Sequence, residues 1–133
     1  MSVFKFSQFI RIAIALMFIV SGIYHFYNTD FFLAIMPEYM PWPKGLVLLS
    51  GITEIIAGGV FLLPGFIRLG AVIILIHLVV FLIVHIDMIQ NAERFPDLSL
   101  FSLWIRLIIQ GFLIFGVYYF TRRPKDYEIN VAK

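Results

Sequence analysis

Four long apolar runs dominate the chain, at positions 9–27, 42–63, 67–89 and 100–120, separated by short polar or proline-bearing breaks. Each is close to the ~20 residues a helix needs to cross about 30 Å of hydrocarbon at 1.5 Å per residue. The pattern predicts an all-α integral membrane protein: an antiparallel four-helix bundle forming a single domain over 1–133. The break between the first two runs, NTDFFLAIMPEYMPWPKG, mixes aromatics with Pro37, Pro41 and Pro43. Asp30 is an acceptable helix N-cap there, and Phe31, Phe32, Leu33, Ile35 and Met36 predict a short interfacial helix that Pro37 ends. That helix either roofs the outer end of the bundle or rests on headgroups as a connector. Leu63, Pro64, Gly65 and Phe66 predict a tight turn between the second and third spans.

Composition agrees with lipid as the solvent. At 62% hydrophobic and 14% charged residues the chain has more apolar surface than a 133-residue soluble domain can hide. A net charge of +2, without interleaved basic and aromatic residues, gives no nucleic-acid surface. With no Cys, disulfide exchange, thiolate-bound metals and iron–sulfur clusters are excluded as chemistry of this chain, so a redox role needs a bound cofactor or a partner. Lys5 and Arg11 precede the first apolar run, but SGIYHFYN follows it and offers no small-x-small cleavage site, which reads as a retained helix. Lys5, Arg11, Arg68, Arg122, Arg123, Lys125 and Lys133 fall on the side of the termini, against Lys44 and Arg94 on the other. The excess predicts a multi-pass protein of the cytoplasmic membrane with both termini cytoplasmic. Tyr39, Trp42 and Trp104 then sit at the outer boundary, where amphipathic aromatics anchor.

Polar residues inside the spans are the candidates for function. A charged side chain near the membrane centre costs roughly 2.5–3.5 kcal/mol, so Glu54 and Arg106 are expected to face inward and to come within reach of each other. Glu54 lies about 18 Å below the outer end of the second span, with His77 at similar mid-depth, while Arg106 is roughly 9 Å in and Gln110 one turn deeper on the same face. His25 and His85 lie toward the outer side. His77, Phe81 and His85 follow i, i+4, i+8 spacing, whereas Asp87 lies about 200° round from His85 and is expected to face headgroups. Ser50, Gly51, Ala57 and Gly58 share a face with Glu54 and predict a close helix contact that shields the carboxyl. Each candidate also has a structural reading: Glu54 with Arg106 as an ion pair fixing helix register, Gln110 as a hydrogen-bonding partner, His25 and His85 as neutral, satisfied histidines. The three histidines share no short spacing, which argues against a metal site.

The phrases SGIYHF, MPEYMPWP, LLSGITEIIAGGVFLLP, VHIDMIQNA and WIRLIIQGFLIFGVYYFTRRP, in that order over 22–123, resemble the DoxX-like family of small four-helix membrane proteins. The resemblance rests most on Gly51 to Glu54, read as G-x-x-E after Ser50, and on Arg106 to Gln110, read as R-x-x-x-Q. It implies the bundle fold, Glu54, Arg106 and Gln110 as matching polar positions, and relatives that serve oxidoreductases or assist assembly of other membrane proteins. His85 stands where family members often carry Asn, and the absent cysteines argue against the disulfide-handling branch. Two functions are therefore expected as alternatives. One is a redox-associated subunit binding a quinone or other isoprenoid or lipid ligand in an outward-facing polar cleft. The other is a non-enzymatic chaperone or assembly accessory protein that contacts a membrane protein partner. A small dimeric transporter ranks third, since 133 residues give half of a typical inverted repeat. Gly111 and Gly116 offer small surface for a homo-oligomer. No nucleophile and base, and no phosphate-binding loop, marks the chain as an enzyme on its own.

Overall fold

A computed structural model describes residues 3–123 and 130–131. Lys125 and Lys133, counted above among the basic residues near the termini, lie outside them. Among the described residues there are five α-helices and no strand: α1 (Val3–Tyr27), α2 (Thr29–Ile35), α3 (Pro43–Leu62), α4 (Ile67–Gln90) and α5 (Leu100–Thr121), with one 3₁₀ turn at Ala92–Arg94. All but α2 are long and apolar enough to cross a bilayer. α1 begins at Val3, six residues before the apolar run, because the helix continues through Lys5 and Arg11. Hydropathy marks the part of a helix that lipid covers, and the helix itself runs further.

Local chemistry sets the element ends. Ser99 caps α5, its hydroxyl oxygen accepting from the Ser102 backbone N–H at 3.1 Å. Asn28, rather than Asp30, holds the N-cap position of α2, and Asp30 sits inside the first turn, where its charge complements the helix dipole. Between α3 and α4 the Phe66 N–H donates to the Leu63 carbonyl at 3.2 Å, and Gly65 has φ +87°, a value that glycine reaches without strain.

α1 packs along α3, α3 on α4 and α4 on α5, whereas α1 and α5 scarcely touch by backbone. Close approach rests on small residues. A Cβ on Gly22 would lie 2.6 Å from the Gly51 carbonyl oxygen, and one on Gly58 2.6 Å from that of Ala15, so α1 and α3 sit nearer than larger residues allow. Two apolar clusters result. The larger, at the end of the molecule that holds the 63–66 turn, joins Ile14, Phe18, Phe61, Ile74, Val117 and Phe120. The smaller, at the end that holds α2 and the 91–99 loop, joins Met88, Phe95 and Leu103, with Ile35 of α2 against them. These are called the turn end and the loop end below.

Elsewhere the long helices turn apolar side chains outward, among them Val79, Ile83, Ile108, Phe112 and Phe115. An apolar surface of that extent is matched by lipid.

Candidate functional site

Between the two clusters lies a cavity of about 310 Å³ to which all five helices contribute. Phe18 and Leu78 of the larger cluster line it, as do Phe31, Phe32, Ile35 and Met36 on the α2 side. The walls are mainly apolar, interrupted by Ser21, His25, Ser50, Glu54, His85, Arg106 and Gln110. Five of the six side chains singled out from the sequence thus converge on one space: His25, Glu54, His85, Arg106 and Gln110.

Glu54 is 1% exposed, and neither carboxyl oxygen has a hydrogen-bond partner among the described residues. Its position follows from the sequence around it. Gly51, Ala57 and Gly58 bring α1 against this face of α3 and close off lipid, so the carboxyl is held at a helix contact as expected. Its nearest charged or titratable neighbour comes from that contact: His25 Nδ1 stands 3.6 Å from Oε2.

The expected approach of Arg106 to Glu54 does not occur. Among the described residues no ion pair within 4 Å joins them, and Arg106 is exposed while lining the cavity. The reason is lateral: α5 packs on α4, so depth along the helix puts the two groups on one cavity without making them neighbours. Arg106 shares the cavity wall with His85 instead.

The histidines divide. His25 Nδ1–H donates to the Ser21 carbonyl at 2.8 Å, an assignment fixed by the carbonyl acting only as acceptor, and the ring stacks on Phe32 of α2 at 3.6 Å between centroids. Nothing among the described residues bonds its Nε2. His85 lines the cavity and makes no hydrogen bond within the described chain. His77 does not reach the cavity. Its Nδ1–H donates to the Ile73 carbonyl at 2.9 Å and its Nε2 lies 2.7 Å from Thr53 Oγ1, which makes it a satisfied α3–α4 tie. Eight residues at 100° each leave about 80° between His77 and His85, so the i, i+8 stripe drifts off the cavity. Gln110 is buried, and its Nε2 donates to the Leu78 carbonyl at 2.7 Å, leaving Oε1 without a bond among the described residues.

Asp87 corrects the expectation that it faces headgroups. It is 6% exposed, accepts from Asn91 Nδ2 at 2.9 Å and pairs with Arg94 at 3.2 Å. Arg94 also donates to the Met36 carbonyl at 3.2 Å and pairs with Glu38 at 3.3 Å, so it fastens the end of α2 to the end of α4. The 91–95 turn folds back over Asp87, which helical phase alone does not reveal. Arg11, read from sequence as a membrane-flanking charge, is likewise 5% exposed; it donates to the Phe61 carbonyl at 2.6 Å, to the Leu62 carbonyl at 3.1 Å and to Gln8 at 2.8 Å. It caps the last carbonyls of α3, where a cation is favoured by the helix dipole.

Four apolar spans and an internal cavity with a few polar groups define a multi-pass membrane protein. The chain belongs to the family described as Domain of unknown function (DUF8561), whose model matches residues 14–121. That stretch includes every residue lining the cavity and leaves Arg11 outside. No curated protein and no solved structure matches the chain.

Proposed function

We propose that this protein is a DoxX-like four-helix antiparallel bundle of the cytoplasmic membrane that holds a quinone or related isoprenoid lipid in the cavity beside α2. It serves as a membrane subunit of a redox system and is not an enzyme by itself. The observation that carries this reading is Glu54, a buried carboxyl on the wall of an apolar cavity without a hydrogen-bond partner among the described residues. Leaving a buried polar group unsatisfied costs about 1–3 kcal/mol, and more for a charged one; a ligand that bonds to it removes that cost. The volume of about 310 Å³ suits a headgroup and the first carbons of a chain, at the lower end of small-molecule pockets. The weak contact between α1 and α5 provides a seam through which an isoprenoid tail reaches lipid.

The orientation proposed has the turn end inside and α2 at the outer interface. Arg68, Arg122 and Arg123 lie toward the turn end, and Asp30, Glu38, Glu93 and Asp97 toward the loop end, in keeping with the cytoplasmic retention of basic residues.

The test is purification in mild detergent, extraction with organic solvent and mass spectrometry of the extract, for the wild type and Glu54→Gln. A stoichiometric isoprenoid in the wild type, missing from a folded mutant, is the expected result. Neither sample holding one overturns the reading in favour of an accessory protein whose polar cluster is structural.

A further inference from the structure

The proposed ligand site can be taken one step further, to the chemistry of the headgroup, by matching the donors and acceptors that the cavity leaves open. This step rests on the ligand-site reading above.

Acceptors are in surplus around Glu54. Both of its carboxyl oxygens are unbonded. Gln110 has one amide N–H committed to the Leu78 carbonyl and keeps its second N–H and Oε1. His25 has Nδ1–H committed to the Ser21 carbonyl and keeps Nε2 as an acceptor. On the donor side, the Ser50 hydroxyl is committed to the Val47 carbonyl at 2.8 Å. The Ser21 hydroxyl lines the same cavity and can satisfy one acceptor by rotation, and the second Gln110 N–H one more. Even where Glu54 is neutral and donates its own O–H, its other oxygen, His25 Nε2 and Gln110 Oε1 remain acceptors, so a ligand that donates as well as accepts is the better match to the buried part of the cavity.

The rest of the wall limits the charge of that donor. Arg106 lines the same cavity, is exposed and has no hydrogen-bond or ion-pair partner among the described residues. An ammonium headgroup would gain Glu54 at the expense of lying near this guanidinium. A carboxylate or phosphate would suit Arg106 and bring only acceptors to Glu54. A headgroup whose oxygens are all carbonyls, such as an oxidised quinone, can accept from a neutral Glu54 but donates to none of the acceptors that remain at the buried end. A neutral hydroxyl avoids each conflict: it donates to Glu54, and an oxygen elsewhere on the same headgroup accepts from Arg106 or His85.

From this match we infer that the cavity selects a neutral, hydroxyl-headed amphiphile, a lipid alcohol or a hydroquinone, whose O–H is donated to Glu54. The oxidised quinone is the weaker ligand of this site.

The experiment is anaerobic calorimetric titration of the purified full-length protein in detergent with three short-tailed probes of equal chain length: a prenylated hydroquinone, the corresponding quinone and a prenyl alcohol. The hydroquinone is expected to bind the wild type about tenfold or more tighter than the quinone. In Glu54→Gln, whose amide can donate to a carbonyl, that preference narrows or reverses. Alcohol binding as tight as hydroquinone binding assigns the site to lipid alcohols, and hydroquinone binding alone assigns it to hydroquinones; either supports the inference. Equal affinity for hydroquinone and quinone in the wild type overturns the inference and leaves the ligand site standing. No binding of any probe overturns both. The wild-type ratio decides even if Glu54→Gln does not fold.

Discussion

At the turn end, a buried cation is fully used by the chain: Arg11 donates to the Phe61 and Leu62 carbonyls and to Gln8, and the apolar cluster closes around it. Between the two ends, on the cavity beside α2, a carboxyl buried still more deeply has its nearest titratable neighbour, His25, at 3.6 Å and no hydrogen bond among the described residues. Both groups carry the desolvation cost of burial, and only the first is compensated within the fold. Helix capping explains Arg11 without any ligand. Nothing among the described residues explains Glu54 in the same way, which is why the cavity beside α2, and not the turn end, carries the functional proposal.

This contrast predicts effects that separate stability from binding. The largest loss of stability is expected for Arg11→Leu, which leaves the last carbonyls of α3 uncapped and costs about 2–3 kcal/mol in a detergent unfolding titration, while any ligand stays bound. Loss of the ligand together with a normal unfolding midpoint would erase the distinction between the turn end and the cavity. Gly70→Ala comes next. Its Cβ would lie 2.4 Å from the Phe61 backbone, so α3 and α4 must part at a cost of about 1–3 kcal/mol. Gly111→Ala, with nothing within 4 Å of the added atom, is its control and should be neutral or stabilising by up to about 1 kcal/mol. Equal melting shifts for the two would refute the close packing.

Asp87→Asn weakens the Arg94 clamp and should act locally. Hydrogen exchange is expected to quicken over 29–41 with little change in the turn-end helices. Uniform protection would mean that α2 is held by its aromatic contacts alone. The smallest effect on stability is predicted for Glu54→Gln. The change removes a buried carboxyl that has no hydrogen bond to lose, so the ligand-free protein should melt at the wild-type temperature or slightly higher. A clear fall would make Glu54 a structural residue, as the accessory-protein reading requires.

The four long helices were legible because each apolar run has the length of a membrane crossing, and α3, α4 and α5 match their runs to within a residue at each end. The burial of Glu54 was legible too, since Gly51, Ala57 and Gly58 mark the face that another helix approaches. What escaped was which helices are neighbours. Depth placed Arg106 within reach of Glu54, and only the packing of α5 on α4 shows that His25 of α1 stands there instead. Arg11 meets carbonyls 50 and 51 residues away, and Arg94 reaches Met36 across 58 residues, so no spacing rule announces either bond. Thr53 carried no signal of its own, and its bond to His77 removes that histidine from the site.

The most direct measurement is a crystal structure of the protein taken from its native membrane in mild detergent, at a resolution that separates lipid from water. A ligand site predicts continuous non-protein density filling the cavity beside α2, with one polar atom about 2.7 Å from a Glu54 carboxyl oxygen and a tail leaving between α1 and α5. A cavity that is collapsed, or that holds only water bonded to Glu54, would contradict it.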